Sequence, residues 1–370
     1  NSLLSVAPKI TIPRSRKRGR NSTGSVHICK VSLSGAHRGP NRWTFPKTMK
    51  GMAMKIGFIG LGNVGAKLAG SLLRNDQDVT VLDLDAEKVR DFTQRGAKSA
   101  ATPAELMGAC DVVITCLPSP TICAQTVEGP DGLLNAVTEG KIWLEMSTTD
   151  ATEVTRLAAK VTAAGGAAVD CPVSGGCHRA DTGNISIFAG TDRATFERVL
   201  PLLTILGRRV LHTGDVGTAS QLKVVTNYLA TVNLVSCAEA LVTCKAAGLD
   251  LATAYEAIAI SSGTSFVHET ESQVILNGSR DISFTMDLVA KDIGLFQSIA
   301  EAHDVPLEIS PLVNQIFADG IERFGPRELS PNIIKRLEEA TGLDVTAPGF
   351  PAEMHDDEPE ERGGEVHVRR

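Results

Sequence analysis

Residues 55–65, KIGFIGLGNVG, decide the fold of this 370-residue chain. An apolar run leads directly into the pattern G-x-G-x-x-G, which is formed by Gly60, Gly62 and Gly65. After a strand and at the start of a helix, the first glycine permits a tight turn and the second lets the backbone approach a pyrophosphate. The third lets the helix pack on the strand. Asn63 and Val64 would open that helix, whose N-terminus would face the anion.

Asp83 directly follows the next predicted strand, Asp78–Leu82. It comes about 20 residues after the glycines, at the spacing of the carboxylate that binds the ribose 2′-hydroxyl of a dinucleotide. A carboxylate here repels a 2′-phosphate, and no Arg follows it immediately. The sequence therefore favours NAD over NADP as the cofactor. Asp85 offers a second carboxylate nearby, which is suited to capping the following helix.

Beyond this unit the chain continues to alternate between apolar strand patterns and amphipathic helix patterns. Residues 218–247 then form one long helix that is apolar on nearly every face, and helical patterns continue to about residue 340. We therefore expect an α/β fold, with a mostly parallel, Rossmann-like sheet domain over residues 54–217 and an all-α domain over residues 218–345. Further strands are predicted at 111–117, 141–146, 167–170 and 185–189.

The two ends of the chain differ in composition from its centre. Residues 1–53 are rich in Ser and Arg, and residues 346–370 are rich in Pro and acidic residues. Both compositions predict disorder. The first segment fits an organelle transit peptide, which would place the protein in mitochondria or another organelle. It equally fits a mis-assigned start, with translation beginning at Met49, Met52 or Met54 and a cytoplasmic protein as the result.

Charge and cysteine content exclude several function classes. Residues 1–54 contain 11 Lys or Arg and no Asp or Glu, so the remaining chain carries 26 basic against 43 acidic residues, a formal charge of −17. Such an acidic body argues against nucleic-acid binding by the folded part. The eight cysteines form no CxxC pair and no Cys/His cluster, so no metal site is expected. The longest apolar stretch is interrupted by Asn227, Asn233 and Glu239, so no membrane span is expected.

Lys223 and Asn227 are the most informative polar residues of the long helix. Their spacing of four residues places an ammonium and a carboxamide on one helical face, one turn apart. A cation among apolar side chains is costly unless it has a partner or a role. Burial lowers the pKa of a lysine toward neutrality, where it can both accept and donate a proton. The pattern predicts a proton-transfer lysine.

Six motifs together resemble the β-hydroxyacid dehydrogenase family, and in particular its 3-hydroxyisobutyrate dehydrogenase-like branch. They are GFIGLGNVG, ITCLPSP, EMSTTD, DCPVSGG, the Lys223–Asn227 helix and AKDIGL, in the family's order across residues 55–345. The resemblance implies that Lys223 is the catalytic acid and base and that Asn227 binds substrate. It further implies a substrate-carboxylate site at Ser174, Gly175 and Gly176, and cofactor contacts at Leu117, Pro118, Thr148 and Lys291.

The chain departs from the family after the SGG motif, where it reads Cys177-His178-Arg179 instead of small residues. Arg179 is suited to binding a second carboxylate or a sulfonate of the substrate, and is equally suited to being a surface cation. This departure leaves the identity of the substrate undetermined, but it does not change the expected class of reaction.

Together these observations predict an NAD-dependent oxidoreductase that transfers a hydride between nicotinamide and a small 3-hydroxy acid or its semialdehyde. One alternative is an NADPH-dependent reductase of glyoxylate or succinic semialdehyde. A non-enzyme alternative is a nucleotide-sensing or chromatin-binding relative that uses the basic N-terminal segment. The long apolar helix and the resemblance predict a homodimer or homotetramer.

Overall fold

The computed structural model describes residues 54–369. The basic segment predicted to be disordered, residues 1–53, lies outside the described residues. Within the described part, the strands are β1 (Lys55–Ile59), β2 (Asp78–Leu82), β3 (Lys98–Ser99), β4 (Val112–Thr115), β5 (Ile142–Glu145), β6 (Ala167–Asp170), β7 (Val173–Ser174), β8 (Ile185–Gly190), β9 (Gly207–Gly214) and β10 (Gly364–Glu365).

Helices alternate with the strands through β9 and then follow one another. They are α1 (Asn63–Arg74), α2 (Ala86–Gln94), α3 (Pro103–Ala109), α4 (Pro120–Glu128), α5 (Ala151–Ala163), α6 (Gly176–Asp181), α7 (Arg193–Leu206), α8 (Thr218–Ala246), α9 (Leu251–Ala259), α10 (Phe266–Asn277), α11 (Met286–Ala302), α12 (Ile309–Phe324) and α13 (Lys335–Thr341), with short 3-10 helices at Leu133–Ala136 and Ser330–Ile334. Many of these helices have a side-chain N-cap. Asp85, for example, caps α2 by accepting a hydrogen bond from the backbone N–H of Glu87 at 2.9 Å.

The sheet is mostly parallel, as the sequence predicts. Its first six strands lie in the order β3-β2-β1-β4-β5-β6, all parallel. The strand order reverses between β1 and β4, and ligands of open α/β sheets bind outside the carboxyl ends of the strands at such a point. β8 then pairs antiparallel with β6. β9 pairs parallel with β8, and β10 pairs parallel with β9 at the edge of the sheet.

Three apolar clusters form the cores of the two domains, two in the sheet domain and one in the helical domain. Alternate residues of each central strand face opposite sides: Phe58 packs with α1 and α7, whereas Trp143 packs with α3, α4 and α5. Both side chains are fully buried. The third cluster lies in the helical domain, where the second half of α8 packs against α9–α12. Because helices cover both faces of the sheet, the central strands are nearly continuous apolar runs in the sequence.

The long helix α8 spans 29 residues and packs against α10 and α11 on one side and against β6 and β8 on the other. Part of its surface stays open, since Leu222 and Leu229 are 41% and 53% exposed. Among the described residues it is the one helix long and apolar enough to cross a membrane by length and composition. The predicted homodimer or homotetramer stays a prediction.

Asp170 joins α8 to the sheet. Its carboxylate ends β6 and accepts hydrogen bonds from Gly217 N (3.0 Å), Ser220 N (2.9 Å) and Ser220 Oγ (2.6 Å). These donors lie just before and within the first turn of α8, whose N–H groups otherwise lack intrahelical partners. Burial raises the pKa of Asp170 to about 6. One buried carboxylate from the sheet domain thus caps the first helix of the helical domain.

The C-terminal segment differs from the disorder that its composition predicts. Asn277 Nδ2 donates to the carbonyl of Phe350 (2.8 Å) and Asn184 Nδ2 donates to Asp356 (2.7 Å), so the segment runs from the helical domain to the sheet domain. There β10 adds to the edge of β9. Carboxylates from Glu358 to Glu365 form ion pairs with five arginines of the sheet domain: Arg74, Arg179, Arg193, Arg208 and Arg209. The composition predicts disorder because the segment has few apolar residues to bury. It does not reveal that the acidic residues of the segment are paired with arginines of the sheet domain.

We expect Asp170→Ala to lower the free energy of unfolding by about 2 kcal/mol or more, because it removes a helix cap and leaves buried N–H groups without an acceptor. Urea unfolding followed by circular dichroism measures this. Asp250→Ala is the matched control, since Asp250 caps α9 through Thr253 N (2.8 Å) at an exposed site, and it should cost about 1 kcal/mol. Equal losses in the two variants would contradict the special role of Asp170.

Candidate functional site

The glycine turn after β1 has the geometry of a pyrophosphate site. Gly60 has a positive φ of 98°, and a Cβ on Gly65 would collide with the carbonyl oxygen of Gly60. A Cβ on Gly62 would meet nothing within 4 Å, so this face of the turn is open. No side chain of the described residues caps α1, which leaves the N–H groups that begin at Asn63 and Val64 available to an anion.

Asp83 lies beside this turn, at the adjacent strand end. Its carboxylate accepts from Leu61 N (2.5 Å) and from Asp85 N (2.8 Å). The two bonds tie the turn after β1 to the turn after β2 and fix the position of the carboxylate. Asp83 therefore both stabilises the glycine turn and stands where the sequence places the ribose-binding acid.

Glu145 organises the loops that follow β4 and β5. The fully buried carboxylate accepts from Thr115 Oγ1 (2.7 Å), from Cys123 Sγ and from Ser147 N (2.7 Å). Burial raises the pKa of Glu145. Ser147 Oγ in turn accepts from Leu117 N (2.7 Å). The predicted cofactor residues Leu117, Pro118 and Thr148 thus lie on two loops that are hydrogen-bonded to each other.

The SGG loop joins β7 to α6. Ser174 pairs with Ser186 of β8, and both glycines have a positive φ: 131° at Gly175 and 86° at Gly176. A Cβ on Gly175 would lie 3.3 Å from Arg179 Cδ, and one on Gly176 would lie 2.9 Å from His178 Cε1. Side chains of α6 therefore cover one side of the loop.

Lys223 and Asn227 are in contact on α8, as their spacing predicts. Lys223 Nζ donates to Asn227 Oδ1 at 2.8 Å, and Asn227 Nδ2 donates to Asp292 Oδ2 of α11 at 2.6 Å. Lys223 is only 7% exposed, and burial lowers its pKa to about 8. Asp292 opposes that shift and Lys291 adds to it, so the ammonium and its neutral form are both accessible near neutral pH.

Lys291 connects the helical domain to the sheet domain. Its Nζ donates to the carbonyl oxygen of Thr148 at 2.8 Å and lies 3.2 Å from Asp292 Oδ1. A continuous chain of polar contacts therefore runs from Lys223 through Asn227, Asp292 and Lys291 to the loop after β5. The resemblance implied a cofactor contact for Lys291, and the structure places this residue across the cleft, at the loop after β5. Asp292 contacts Asn227 and Lys291 within the helical domain.

A cavity of about 170 Å³ lies beside this chain of contacts, between the start of α5 and helices α8 and α11. Its lining includes Thr149, Ser220, Val224 and His303. The hydroxyl of Thr149 is buried and has no hydrogen-bond partner among the described residues. The cleft between the two domains thus contains open space lined by a residue whose buried hydroxyl lacks an internal partner.

His178 and Arg179 extend away from the polar chain toward the C-terminal segment. Arg179 Nη2 lies 3.4 Å from Glu358 Oε1, and its guanidinium lies 5.0 Å from the centre of the Phe266 ring. Burial, and then the charge of Arg179, lower the pKa of His178. Arg179 is thus already paired within the chain, and its predicted role in binding a second substrate anion stays a prediction.

Sequence reasoning assigned no role to Glu145, Asp170 or Glu358. The first two carried a visible signal, because each is an acidic residue at the carboxyl end of an otherwise apolar strand. Register places Glu145 directly opposite Asp170 at the edge of the sheet. Glu358 carried no local signal, since its partner Arg179 is 179 residues away.

Comparisons with known proteins agree with this architecture. The family model described as the NAD binding domain of 6-phosphogluconate dehydrogenase matches residues 55–214. The model described as NAD-binding of NADP-dependent 3-hydroxyisobutyrate dehydrogenase matches residues 217–337. A crystal structure of 3-hydroxyisobutyrate dehydrogenase from Salmonella typhimurium superposes with a TM-score of 0.70 at 26% identity, over 76% of this chain and 99% of that one.

Similar sequences include two named dehydrogenases and one named nuclear factor. The chain is 34% identical to 2-(hydroxymethyl)glutarate dehydrogenase of Eubacterium barkeri, over 80% of this chain and 98% of that protein. It is 31% identical to mitochondrial 3-hydroxyisobutyrate dehydrogenase of Mus musculus, over 72% and 83%. It is also 30% identical to cytokine-like nuclear factor N-PAC of Homo sapiens over 71% of this chain, but it spans only 48% of that protein.

The glycine turn at the head of a parallel sheet, the buried lysine in the interdomain cleft and these similarities lead to one assignment. The chain belongs to the β-hydroxyacid dehydrogenase family and, like its dehydrogenase relatives, is an NAD(P)-dependent oxidoreductase that acts on the CH–OH group of a hydroxy acid.

Proposed function

We propose that this protein catalyses the reversible, NAD-dependent oxidation of a small 3-hydroxy acid of the 3-hydroxyisobutyrate type to its semialdehyde. The observation that carries the proposal is Lys223, a buried lysine with a pKa lowered to about 8, held by Asn227 and Asp292. The names of two relatives support the substrate class, because 3-hydroxyisobutyrate and 2-(hydroxymethyl)glutarate both carry a hydroxymethyl group on the carbon that bears a carboxylate.

Lys223 handles the proton in this proposal. In the oxidation direction its neutral amine accepts the proton of the substrate hydroxyl as the C–H bond breaks; in the reduction direction its ammonium returns that proton to the carbonyl oxygen. Asn227 orients the amine through its side-chain oxygen. Bound NAD supplies the hydride acceptor.

The SGG loop holds the substrate carboxylate. Ser174 offers a hydroxyl and the loop backbone offers further N–H donors; Gly175 and Gly176 permit the positive φ values that this turn requires. The loop leads into α6, which is tied to the cofactor helix α1 by the ion pair Lys67–Asp181 at 3.2 Å. The substrate and cofactor sites therefore rest on neighbouring helices.

The cofactor assignment rests on Asp83, whose carboxylate is fixed beside the glycine turn. The open face at Gly62 and the uncapped start of α1 fit the pyrophosphate. Leu117, Pro118 and Thr148 follow the ends of β4 and β5, and Lys291 of α11 contacts the carbonyl oxygen of Thr148. The second candidate is an NADPH-dependent reductase of glyoxylate or succinic semialdehyde. One observation favours it: the family model that matches the helical domain is described by an NADP-dependent enzyme.

We expect Lys223→Ala to keep cofactor binding and to lose roughly 10²–10⁴-fold in kcat, which is the scale of general acid–base catalysis. Steady-state rates with 3-hydroxyisobutyrate and NAD, together with cofactor binding by fluorescence titration, test this. Lys245→Ala removes another lysine of the same helix α8, near its other end, and should keep full activity. Undiminished kcat in Lys223→Ala would contradict the proposed mechanism.

The rate should depend on pH in opposite ways for the two directions. Oxidation requires neutral Lys223, so kcat/KM should fall as the pH drops below about 8; reduction requires charged Lys223, so kcat/KM should fall as the pH rises above about 8. Because the charge of Asp292 raises the pKa of Lys223, Asp292→Asn should move both midpoints to lower pH. Glu301→Gln, at the exposed end of α11, should leave them in place, and a profile unchanged in Asp292→Asn would argue against Lys223 as the titrating group.

Replacing Asp83 should weaken the preference for NAD. Asp83→Asn removes the negative charge that repels a 2′-phosphate, and we expect the ratio of kcat/KM for NADP over NAD to rise by about tenfold or more. The control is Asp85→Asn, which alters the neighbouring cap of α2 and should leave the ratio unchanged. A wild-type enzyme that prefers NADP would support the reductase alternative instead.

A further inference from the structure

The short helix α6 follows the SGG loop directly, but little of it is buried. Among its residues, Gly176–Asp181, only Ala180 is buried. Glycines with a positive φ lie at both of its ends, Gly175 before it (131°) and Gly183 after it (73°). A helix this short is not stable by itself, and glycine gives the flanking backbone extra freedom. The position of α6 therefore depends on polar contacts with its neighbours.

The C-terminal segment supplies such contacts just after α6. Asp356 accepts hydrogen bonds from Thr182 Oγ1 and from Asn184 Nδ2 (2.7 Å), and Asn184 Nδ2 also donates to the backbone carbonyl of Glu358 (2.8 Å). Asn184 is fully buried. Burial acts to raise the pKa of Asp356, but the hydrogen bonds from Thr182 and Asn184 outweigh it and hold that pKa below its ordinary value. The contact is therefore made by a charged carboxylate at neutral pH.

Arg179 of α6 joins the C-terminal segment to the SGG loop. Its Cδ atom lies 3.3 Å from the place that a Cβ on Gly175 would take, so its aliphatic stem packs against this glycine. At the other end of the same side chain, Nη2 lies 3.4 Å from Glu358 Oε1. One side chain thus reaches from the SGG loop to the segment.

The part of the segment that contacts α6 is anchored on both sides. Before it, Ser279 Oγ of the helical domain donates to the carbonyl of Ala352 (2.6 Å). After it, Arg208 pairs with Glu361 (2.9 Å) and β10 pairs with β9. Contacts from a segment that is already ordered cost little further conformational entropy. The segment also follows residue 337, where the match to the family model of the helical domain ends.

We propose that the C-terminal segment positions the SGG loop for the substrate carboxylate, with Asp356 as the main positioning residue. The inference rests on the proposed function, because it assumes that the SGG loop binds that carboxylate. Asp356 acts through α6 and takes no part in proton or hydride transfer. Its loss therefore weakens binding of the hydroxy acid and leaves the chemical step unchanged.

Steady-state kinetics of the full-length chain with 3-hydroxyisobutyrate and NAD test this. We expect Asp356→Ala to raise the KM for the hydroxy acid about tenfold, the scale of one charge-assisted hydrogen bond. The kcat and the KM for NAD should stay within about twofold of the wild-type values. Isobutyrate has the same carboxylate but no hydroxyl, so its inhibition constant should rise by the same factor. Asp356→Asn keeps an acceptor oxygen and should restore part of the loss.

Two further variants separate positioning of α6 from a general effect on the segment. Glu361→Gln is the matched control, because Glu361 lies on the same segment but pairs with Arg208 of β9, and its KM should not change. Thr182→Val removes the same contact from the side of α6 and should also raise the KM. Because Thr182→Val and Asp356→Ala break a shared contact, the double variant should show less than the product of the two single effects.

Several results would overturn this inference while leaving the proposed function intact. They are an unchanged KM in both Asp356→Ala and Thr182→Val, a higher KM without a higher inhibition constant for isobutyrate, and an equal rise of the KM in Glu361→Gln. A loss confined to kcat would overturn it as well. A wild-type protein that neither oxidises 3-hydroxyisobutyrate nor binds isobutyrate would instead contradict the proposed function itself.

Discussion

The hydrogen bonds of Asp170 are the constraint on which the site depends. The carboxylate belongs to the sheet domain, at the end of β6, yet its three donors belong to the start of α8. Lys223 follows Ser220 by three residues, or about 4.5 Å of helix rise. Fixing the first turn of α8 against the sheet therefore fixes the height and the rotation at which the lysine enters the cleft. Helix geometry then places Asn227 one turn farther along the same face.

The lowered pKa of Lys223 results from opposed electrostatic effects. Burial alone disfavours the ammonium, and Lys291 adds a second positive charge; the buried carboxylate of Asp292 acts against both. The result is a pKa of about 8, lowered from 10.5. A fully compensated lysine would keep its proton and could not act as a base, whereas an uncompensated one would lose it and could not act as an acid. Asp292 tunes this balance and, through Asn227, also fixes the direction of the amine.

Local patterns in the sequence were sufficient for the parts of the site that arise from short-range geometry. The glycine turn, the alternation of strands and helices and the Lys223–Asn227 contact follow from spacings of a few residues, and the structure has all three. The partners of that pair could not be read in the same way, because Asn227 and Asp292 are 65 residues apart and Lys291 and Thr148 are 143 apart. The C-terminal segment was predicted wrongly for a related reason: its carboxylates are matched by arginines that are distant in sequence.

The C-terminal segment gives the acidic body of the protein a second connection between its domains. α8 leads from the sheet domain into the helical domain and is anchored by Asp170. The C-terminal segment returns from the helical domain to the sheet domain, where β10 pairs with the edge strand β9. Lys291 closes the cleft between them through one hydrogen bond to Thr148. A single exposed ion pair contributes little to stability, but several on one segment act together with the backbone pairing of β10. The loop after β5 is thus held from both domains, by Ser147 through Leu117 and Glu145 on the sheet side and by Lys291 on the helical side.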